Sequence, residues 1–456
     1  MTQVVVLGSV EGLTGYRSVK PDYEEMAQVL MKDEKTIFVG SGLDKGFWDG
    51  AKDFFRRLGM NWTRTVFVDA EKDVEASGLG LEEVVKFWEK VLESVEETPY
   101  ITFNIKKRIS RRVLVKFGAS ALLEYTGVPT VKRTTCASFP ECSQCIGICP
   151  YGALEGKPPT VNTDKCVECG LCVSACPTGL ITNPAFPENL AKMIIDQAAA
   201  IDITRLVITC SKSREKAYQE QKKGLFIEMP CIASFPVWMI AYAQQRGVNI
   251  EFYCDEEARK RCGKKEASEK YIEYLGEMGE VFYLDKEKLG EAESILAITG
   301  ARAQFFKKLP QKTGEWAKIS LPIFFRIDVD SERCTLCGVC AEKCPVSALI
   351  LEKNEEGYYL YFHHDRCVGC NLCVRVCPEK AISIEKAVNP RFLNERLQLD
   401  FSYPARCKVC GKDIGPEKKI RKIEERLKTM KASPTVVSNI RICRECKFKS
   451  QFDGLM

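Results

Sequence analysis

The sequence predicts a multidomain chain of mixed α/β and α+β class, and three observations lead there. Its 456 residues exceed what one hydrophobic core ordinarily serves. All 24 cysteines lie between Cys136 and Cys446, in groups of four, which leaves residues 1–130 as a cysteine-free block. Around those groups, short apolar strands alternate with segments of helical period, the pattern of successive βα units. Five domains are expected: an α/β domain over 1–130, a cysteine module over 131–186, a second α/β domain over 187–325, a second module over 326–390, and a small four-sulfur (S4) metal domain over 391–456.

Composition narrows the function classes. Hydrophobic residues at 45% and charged residues at 28% are ordinary for a globular protein. A formal net charge of +5 is small for this length, so no nucleic-acid partner is expected. The opening Met1-Thr-Gln-Val-Val-Val-Leu-Gly reads as a buried strand, with neither the basic region nor the cleavage site of a signal peptide. No apolar stretch approaches the roughly 18–20 residues that span a bilayer. The longest, Ile232 to Ala243, is interrupted by Ser234 and Pro236. No transmembrane segment and a cytoplasmic location are therefore expected, with peripheral membrane association only through partners. There thiols stay reduced, and clustered cysteines mean metal.

In the first block, strands are expected at Val4–Leu7, Thr36–Val39 and Thr65–Val68, with helices at Tyr23–Met31 and Leu81–Val95. Gly40-Ser-Gly42 stands between a strand and a helix, where phosphate loops occur. The next glycine is Gly46 and no acidic residue is placed for a ribose, so a tight turn is read. No cofactor is assigned to this domain.

The modules carry four tight runs. Cys166, Cys169, Cys172, Cys176, then Cys334, Cys337, Cys340, Cys344, then Cys367, Cys370, Cys373, Cys377 conform to C-x2-C-x2-C-x3-C-P without departure. The first run, Cys136, Cys142, Cys145, Cys149, is stretched to C-x5-C-x2-C-x3-C-P, with Phe139 where its leading cysteine would stand. Three equally spaced cysteines wrap one cubane, the fourth points to a neighbouring cluster, and the proline ends the loop. Structural zinc sites use two ligand pairs and a spacer instead. The runs resemble those of bacterial-type ferredoxins, and each module is read as ferredoxin-like and dicluster, giving four 4Fe-4S clusters.

With the runs working in pairs, one cluster takes Cys149, Cys166, Cys169 and Cys172. A second takes Cys334, Cys337, Cys340 and Cys377, and a third takes Cys344, Cys367, Cys370 and Cys373. The fourth takes Cys142, Cys145 and Cys176, with Cys136 delivered by the inserted bulge; a three-iron cluster without Cys136 is the alternative. After each fourth cysteine, a short turn of helix leading into a strand is expected to cover the cluster. His363 and His364, the only histidines, are read as surface residues beside a cluster.

Between the modules, strands ending at Cys210, Cys231 and Cys254 alternate with helices, and Cys262 comes next. Three βα units thus present thiols at the carboxyl edge of a sheet, where ligands gather. Four thiolates there would hold a 2Fe-2S cluster; four buried, unligated thiols are the alternative. Met-Pro-Cys231 before a helix and a final cysteine pair resemble the D-type iron–sulfur subunit that links hydrogenases to heterodisulfide reductase. The spacing Cys254-x7-Cys262 is wider than that family's pair. In the tail, Cys407-x2-Cys410 and Cys443-x2-Cys446 flank a charged helix and read as tetrahedral S4, zinc before a rubredoxin-like single iron.

These features describe a wire and not an active site, with no catalytic residue assigned. The resemblances imply an electron-transfer subunit of an oxidoreductase complex of hydrogenase, formate dehydrogenase or heterodisulfide-reductase type. It would pass electrons between a catalytic subunit and ferredoxin, a flavoprotein or a second enzyme. The alternative is a thiol/disulfide or persulfide reductase subunit acting at the middle cysteines, which needs an exposed thiol of low pKa.

Overall fold

The computed structural model describes residues 2–13, 15–30, 34–97, 102–105, 123–281, 306–307 and 311–452. The expected helix end at Met31 lies outside them, as do 98–101 and 106–122 of the N-terminal domain and 282–305 and 308–310 of the second α/β domain. The architecture is the mixed, multidomain one expected, but the predicted domains gather into two compact units. One takes the described residues within 1–136, 144–297 and 308–312; the other takes those within 137–143, 298–307 and 313–456.

The first unit contains two parallel sheets. The N-terminal sheet runs in the order Arg17–Val19, Thr2–Leu7, Lys35–Gly40, Thr65–Asp69. Its inner strands are apolar without alternation because both faces are covered, as parallel sheets require. Helix Lys45–Arg57 lays Trp48, Ala51 and Phe55 on the sheet, and Asp44 caps it by accepting from the Phe47 N–H at 2.8 Å. Phe38 stacks between Phe55 and Phe67 at 5.6 and 5.8 Å. Gly40-Ser-Gly42 is a filled turn, since a Cβ on Gly40 would stand 2.6 Å from Leu43 Cδ1 and 3.1 Å from the Trp48 ring.

The second sheet runs Leu225–Glu228, Arg205–Thr209, Asn249–Phe252, all parallel. Helices Glu188–Ala200, Ser211–Gln219 and Trp238–Gln245 connect and cover it. A buried ion network ties the two sheets together. Arg214 reaches Asp73 at 2.6 Å and Glu228 at 3.0 Å, and Lys52 reaches Glu228 at 2.6 Å. Each partner lost from such a network would leave an uncompensated buried charge.

Both modules share one strand scheme. The strand before the first run pairs antiparallel with the strand after the second: Thr130–Val131 with Ile181–Thr182, and Phe325–Val329 with Ile382–Val388. The strand after the first run pairs with the one before the second: Leu154–Glu155 with Thr160–Val161, and Leu349–Lys353 with Tyr358–Phe362. In the second unit, Leu397–Ser402 adds a further strand to this hairpin. The tail then forms the pair Pro404–Arg406 and Asp413–Pro416 and helix Glu417–Thr429.

Two local expectations are corrected. The short helices lie within the runs, at Gln144–Ile148, Leu171–Ser174, Val339–Glu342 and Leu372–Val376. Each fourth cysteine leads instead into a tight turn, because the residue three places on (Gly152, Gly179, Ser347 or Lys380) is left-handed and a right-handed helix cannot run through it. His364 is also buried and not on the surface. It packs against Trp316, Phe324 and Phe362. The Asn389 N–H donates to its Nε2 at 3.4 Å, so Nδ1 carries the proton and donates to the Phe325 carbonyl at 2.9 Å. His363 stays half-exposed.

Candidate functional site

The backbone of the cysteine runs repeats residue by residue. The position before the second cysteine is left-handed in all three regular runs: Glu168 at φ 55°, Leu336 at 52° and Gly369 at 61°. So is the position after it: Gly170 at 74°, Gly338 at 81° and Asn371 at 62°. Left-handed turns aim successive N–H groups into the loop's hollow, the concavity that holds anionic sulfur. Accordingly the Leu336 N–H reaches Cys334 Sγ at 3.5 Å, and those of Glu168 and Gly369 serve Cys166 and Cys367.

The turns after the fourth cysteines repeat too. Gly152, Gly179, Ser347 and Lys380 are left-handed, at φ 58°, 65°, 50° and 51°. This returns the next N–H to the sulfur: Leu180 to Cys176 at 3.2 Å, Ala348 to Cys344 at 3.2 Å, and Ala381 to Cys377 at 3.3 Å. A Cys-Pro turn with a left-handed residue three places on therefore directs the fourth thiol and gives it a donor.

Three cavities of nearly equal size each carry four of these thiols. One of about 360 Å³ is lined by Cys149, Cys166, Cys169 and Cys172. One of about 370 Å³ is lined by Cys334, Cys337, Cys340 and Cys377, and one of about 330 Å³ by Cys344, Cys367, Cys370 and Cys373. Each set combines three thiols of one run with the fourth of the other. Burial raises the thiol pKa at Cys169 and Cys340 to about 11 and at Cys334 and Cys373 to about 12. Cys172 and Cys367, both buried, are raised further by burial and by neighbouring thiols. Thiolates in such apolar cavities need positive charge from a metal core, and the donor set fits a cubane.

The stretched run is divided between the units. Cys145 and Cys176 share an apolar cluster with Leu154, Cys172 and Ile181, and Cys136 lies close enough to Cys176 for their charges to interact. Cys142 belongs to the second unit, where it and Phe139 pack on Val368 and Cys370.

The middle thiols stand where the sheet's carboxyl edge puts them. Cys210 immediately precedes helix Ser211–Gln219, and Cys231 precedes the turn Ile232–Ser234. Cys254 comes just after the third strand, and Cys262 lies between helices Glu256–Lys260 and Lys265–Val281. Burial, then neighbouring charge, raises Cys231 to about 12, with Cys169 and Cys210 among the neighbours. Cys254 is raised to about 11 by burial and by Cys210 and Cys262. Cys231 thus joins the middle set to the first module.

Sequence reasoning missed the residues that fasten this junction. Ser234 Oγ donates to the Cys169 carbonyl at 3.0 Å, and Ser174 Oγ lies 3.0 and 2.9 Å from the Ala233 and Phe235 carbonyls. Lys264 Nζ donates to the Glu168 and Pro230 carbonyls, both at 3.2 Å, and its charge lowers the thiol pKa of Cys169 and Cys231 against their burial. Only Gly170, a glycine inside a run, marked the close approach in the sequence.

The tail sulfurs form a different kind of site. Among the described residues, Cys407, Cys410, Cys443 and Cys446 are the group whose sulfurs all lie within 4.8 Å of one another. A tetrahedral ion with Zn–S bonds of about 2.3 Å sets sulfurs about 3.8 Å apart, whereas polynuclear clusters spread them wider. Cys407 Sγ accepts from the Cys443 N–H at 3.2 Å, and with the Cys410 and Val409 N–H groups this lowers its pKa to about 6. Cys443 Sγ accepts from the Cys446 N–H at 3.4 Å. Arg441 braces the site, reaching Glu417 at 2.6 Å and Glu424 at 2.7 Å.

Comparison with known families locates two matches. Residues 327–384 match the 4Fe-4S dicluster domain, and residues 159–182 match the 4Fe-4S binding domain. No curated protein matches the chain. No helix among the described residues is long and apolar enough to cross a membrane. The turns, the enclosed thiols and these matches agree that the chain carries two 4Fe-4S ferredoxin-type domains.

Proposed function

We propose that the chain is a multi-cluster electron-transfer subunit of an oxidoreductase complex, of hydrogenase, formate dehydrogenase or heterodisulfide-reductase type. The observation that carries this reading is the set of three matched four-thiol cavities, with Cys231 beside Cys169 at the end of one of them. Bound 4Fe-4S clusters supply one-electron steps. The protein's residues hold them by the pairing of runs, shield them with Leu154, Leu351 and Ile384, and tune them through N–H groups aimed at sulfur.

Cys136, Cys142, Cys145 and Cys176 are assigned the fourth 4Fe-4S cluster, and Cys210, Cys231, Cys254 and Cys262 a 2Fe-2S cluster. The tail takes zinc, in keeping with sulfurs at single-ion spacing. Catalytic subunits, and ferredoxin or a flavoprotein, are the partners proposed. Anaerobic purification with iron, sulfide and zinc counted tests the reading. About sixteen iron per chain are expected for the modules alone and about eighteen with the middle cluster, plus one zinc. Eight iron or fewer in an intact anaerobic preparation would overturn it.

A further inference from the structure

Within the first unit, a cleft of about 1190 Å³ opens between the N-terminal sheet and the middle thiols. It is roughly three times the size of each cubane cavity, which leaves room for a ligand larger than a cluster. Cys210 and Cys262 form part of one wall. Phe55, Met60, Trp62 and Phe67 supply an apolar and aromatic face from the N-terminal domain. Large clefts of this kind, with few placed polar groups, are where organic ligands bind.

Charge selects the ligand's sign. Four cations line the cleft against two carboxylates. Lys52 is committed to Glu228 at 2.6 Å and Arg56 to Glu168 at 3.0 Å. Lys212 and Lys264 remain as the surplus, and Lys264 is held in place by two carbonyls. Helix Ser211–Gln219 also begins at the cleft, with Ser211 and Lys212 in the lining, so its positive dipole end adds to the same field. A side pocket of about 410 Å³ shares Lys52, Phe67, Ser211 and Glu228 with the cleft, and its wall includes Trp48, whose buried indole N–H has no hydrogen-bond partner.

We propose that this cleft binds a planar heteroaromatic anion, with its ring against Trp62 and Met60 and its anionic group toward Lys212 and Lys264. Such a ligand lies beside Cys210 and Cys262, at the end of the thiol array that the N-terminal domain closes over. This gives residues 1–130 a role: they complete a binding site that the middle domain only half forms. The site rests on the cleft's own residues, so it stands or falls separately from the cluster count.

Equilibrium dialysis of the anaerobic full chain tests it, with flavin mononucleotide and riboflavin as probes and inorganic phosphate as competitor. The phosphorylated flavin should be retained at least about tenfold more tightly than riboflavin. Lys212→Glu, at an exposed position, should abolish that difference and spare riboflavin. Trp62→Ala should weaken both flavins. Retention of neither flavin at about 1 mM, the weak limit of specific binding, overturns the proposal. So does competition by phosphate as strong as that by the phosphorylated flavin, or binding that neither substitution changes.

Discussion

In the second ferredoxin module, strands of five to seven residues flank the runs, Phe325–Val329 against Ile382–Val388 and Leu349–Lys353 against Tyr358–Phe362. At the corresponding places in the first module, every strand is two residues long. The second module builds a broad apolar cluster from its own strands, around Phe325, Leu349, Leu360 and Phe362. The first has a much smaller one and is covered by the next α/β domain along the chain, through Ser234, Phe235 and Lys264. The ligand turns of the one regular run in the first module match those of both runs in the second, down to the left-handed positions. Cluster geometry is thus local to the run, while the cover can come from the module's own strands or from a neighbouring domain.

Equivalent glycines offer the sharpest way to break that comparison. A Cβ on Gly170 would stand 2.6–2.9 Å from Ser234, including 2.7 Å from its Cα. Gly170→Ala is expected to cost about 4 kcal/mol, combining left-handed strain with overpacking against backbone. At Gly338 the Cβ meets only the tip of Leu351 at 3.0 Å, so Gly338→Ala should cost about 1 kcal/mol. Anaerobic denaturation monitored by cluster absorbance would show whether the costs separate; equal midpoints would mean the first module is not covered as described.

A second effect belongs to the self-covered module alone. Burial lowers the His364 pKa to about 4, below the ordinary value of 6.5. Because the folded pKa lies below the unfolded one, the full stability is present above pH 6.5 and is lost as pH falls toward 4. The loss should reach about 3 kcal/mol, and denaturant midpoints at pH 7 and pH 5 should already differ. Replacing His364 with Gln should flatten that dependence.

The smallest effect sharpens the other side. Ser174→Ala removes one hydroxyl between the first module and its covering domain and should cost about 1 kcal/mol. Its signature is faster loss of the first module's clusters to a chelator, with the second module's rate unchanged.

How much of the molecule was legible in its sequence depends on the range of each interaction. The runs were legible because spacing and proline act within a dozen residues. Their left-handed turns were legible where glycine marks them, at Gly152, Gly170, Gly179, Gly338 and Gly369, since Glu168, Leu336 and Lys380 carry no such mark. The inner N-terminal strands and helix Leu81–Ser94 showed their periods, but the edge strand Arg17–Val19 was too short and too exposed to do so. His364 was misread because Trp316 and Phe324, distant in sequence, bury it. Phe139 was seen as an interruption, yet its packing on Val368 depends on a fold no spacing rule reports.

The close-set sulfurs of Cys407, Cys410, Cys443 and Cys446 have a thermodynamic consequence. With Arg441 joining the first turn and the middle of helix Glu417–Thr429 to the second knuckle, ordering this segment and binding an ion there would be one equilibrium. Each tenfold rise in free metal above the dissociation constant adds about 1.4 kcal/mol to the tail's stability, and each chelator removes it by the same rule. If that ion is the zinc proposed above, the end of the chain would gauge a metal supply separate from the iron and sulfide that the clusters draw on.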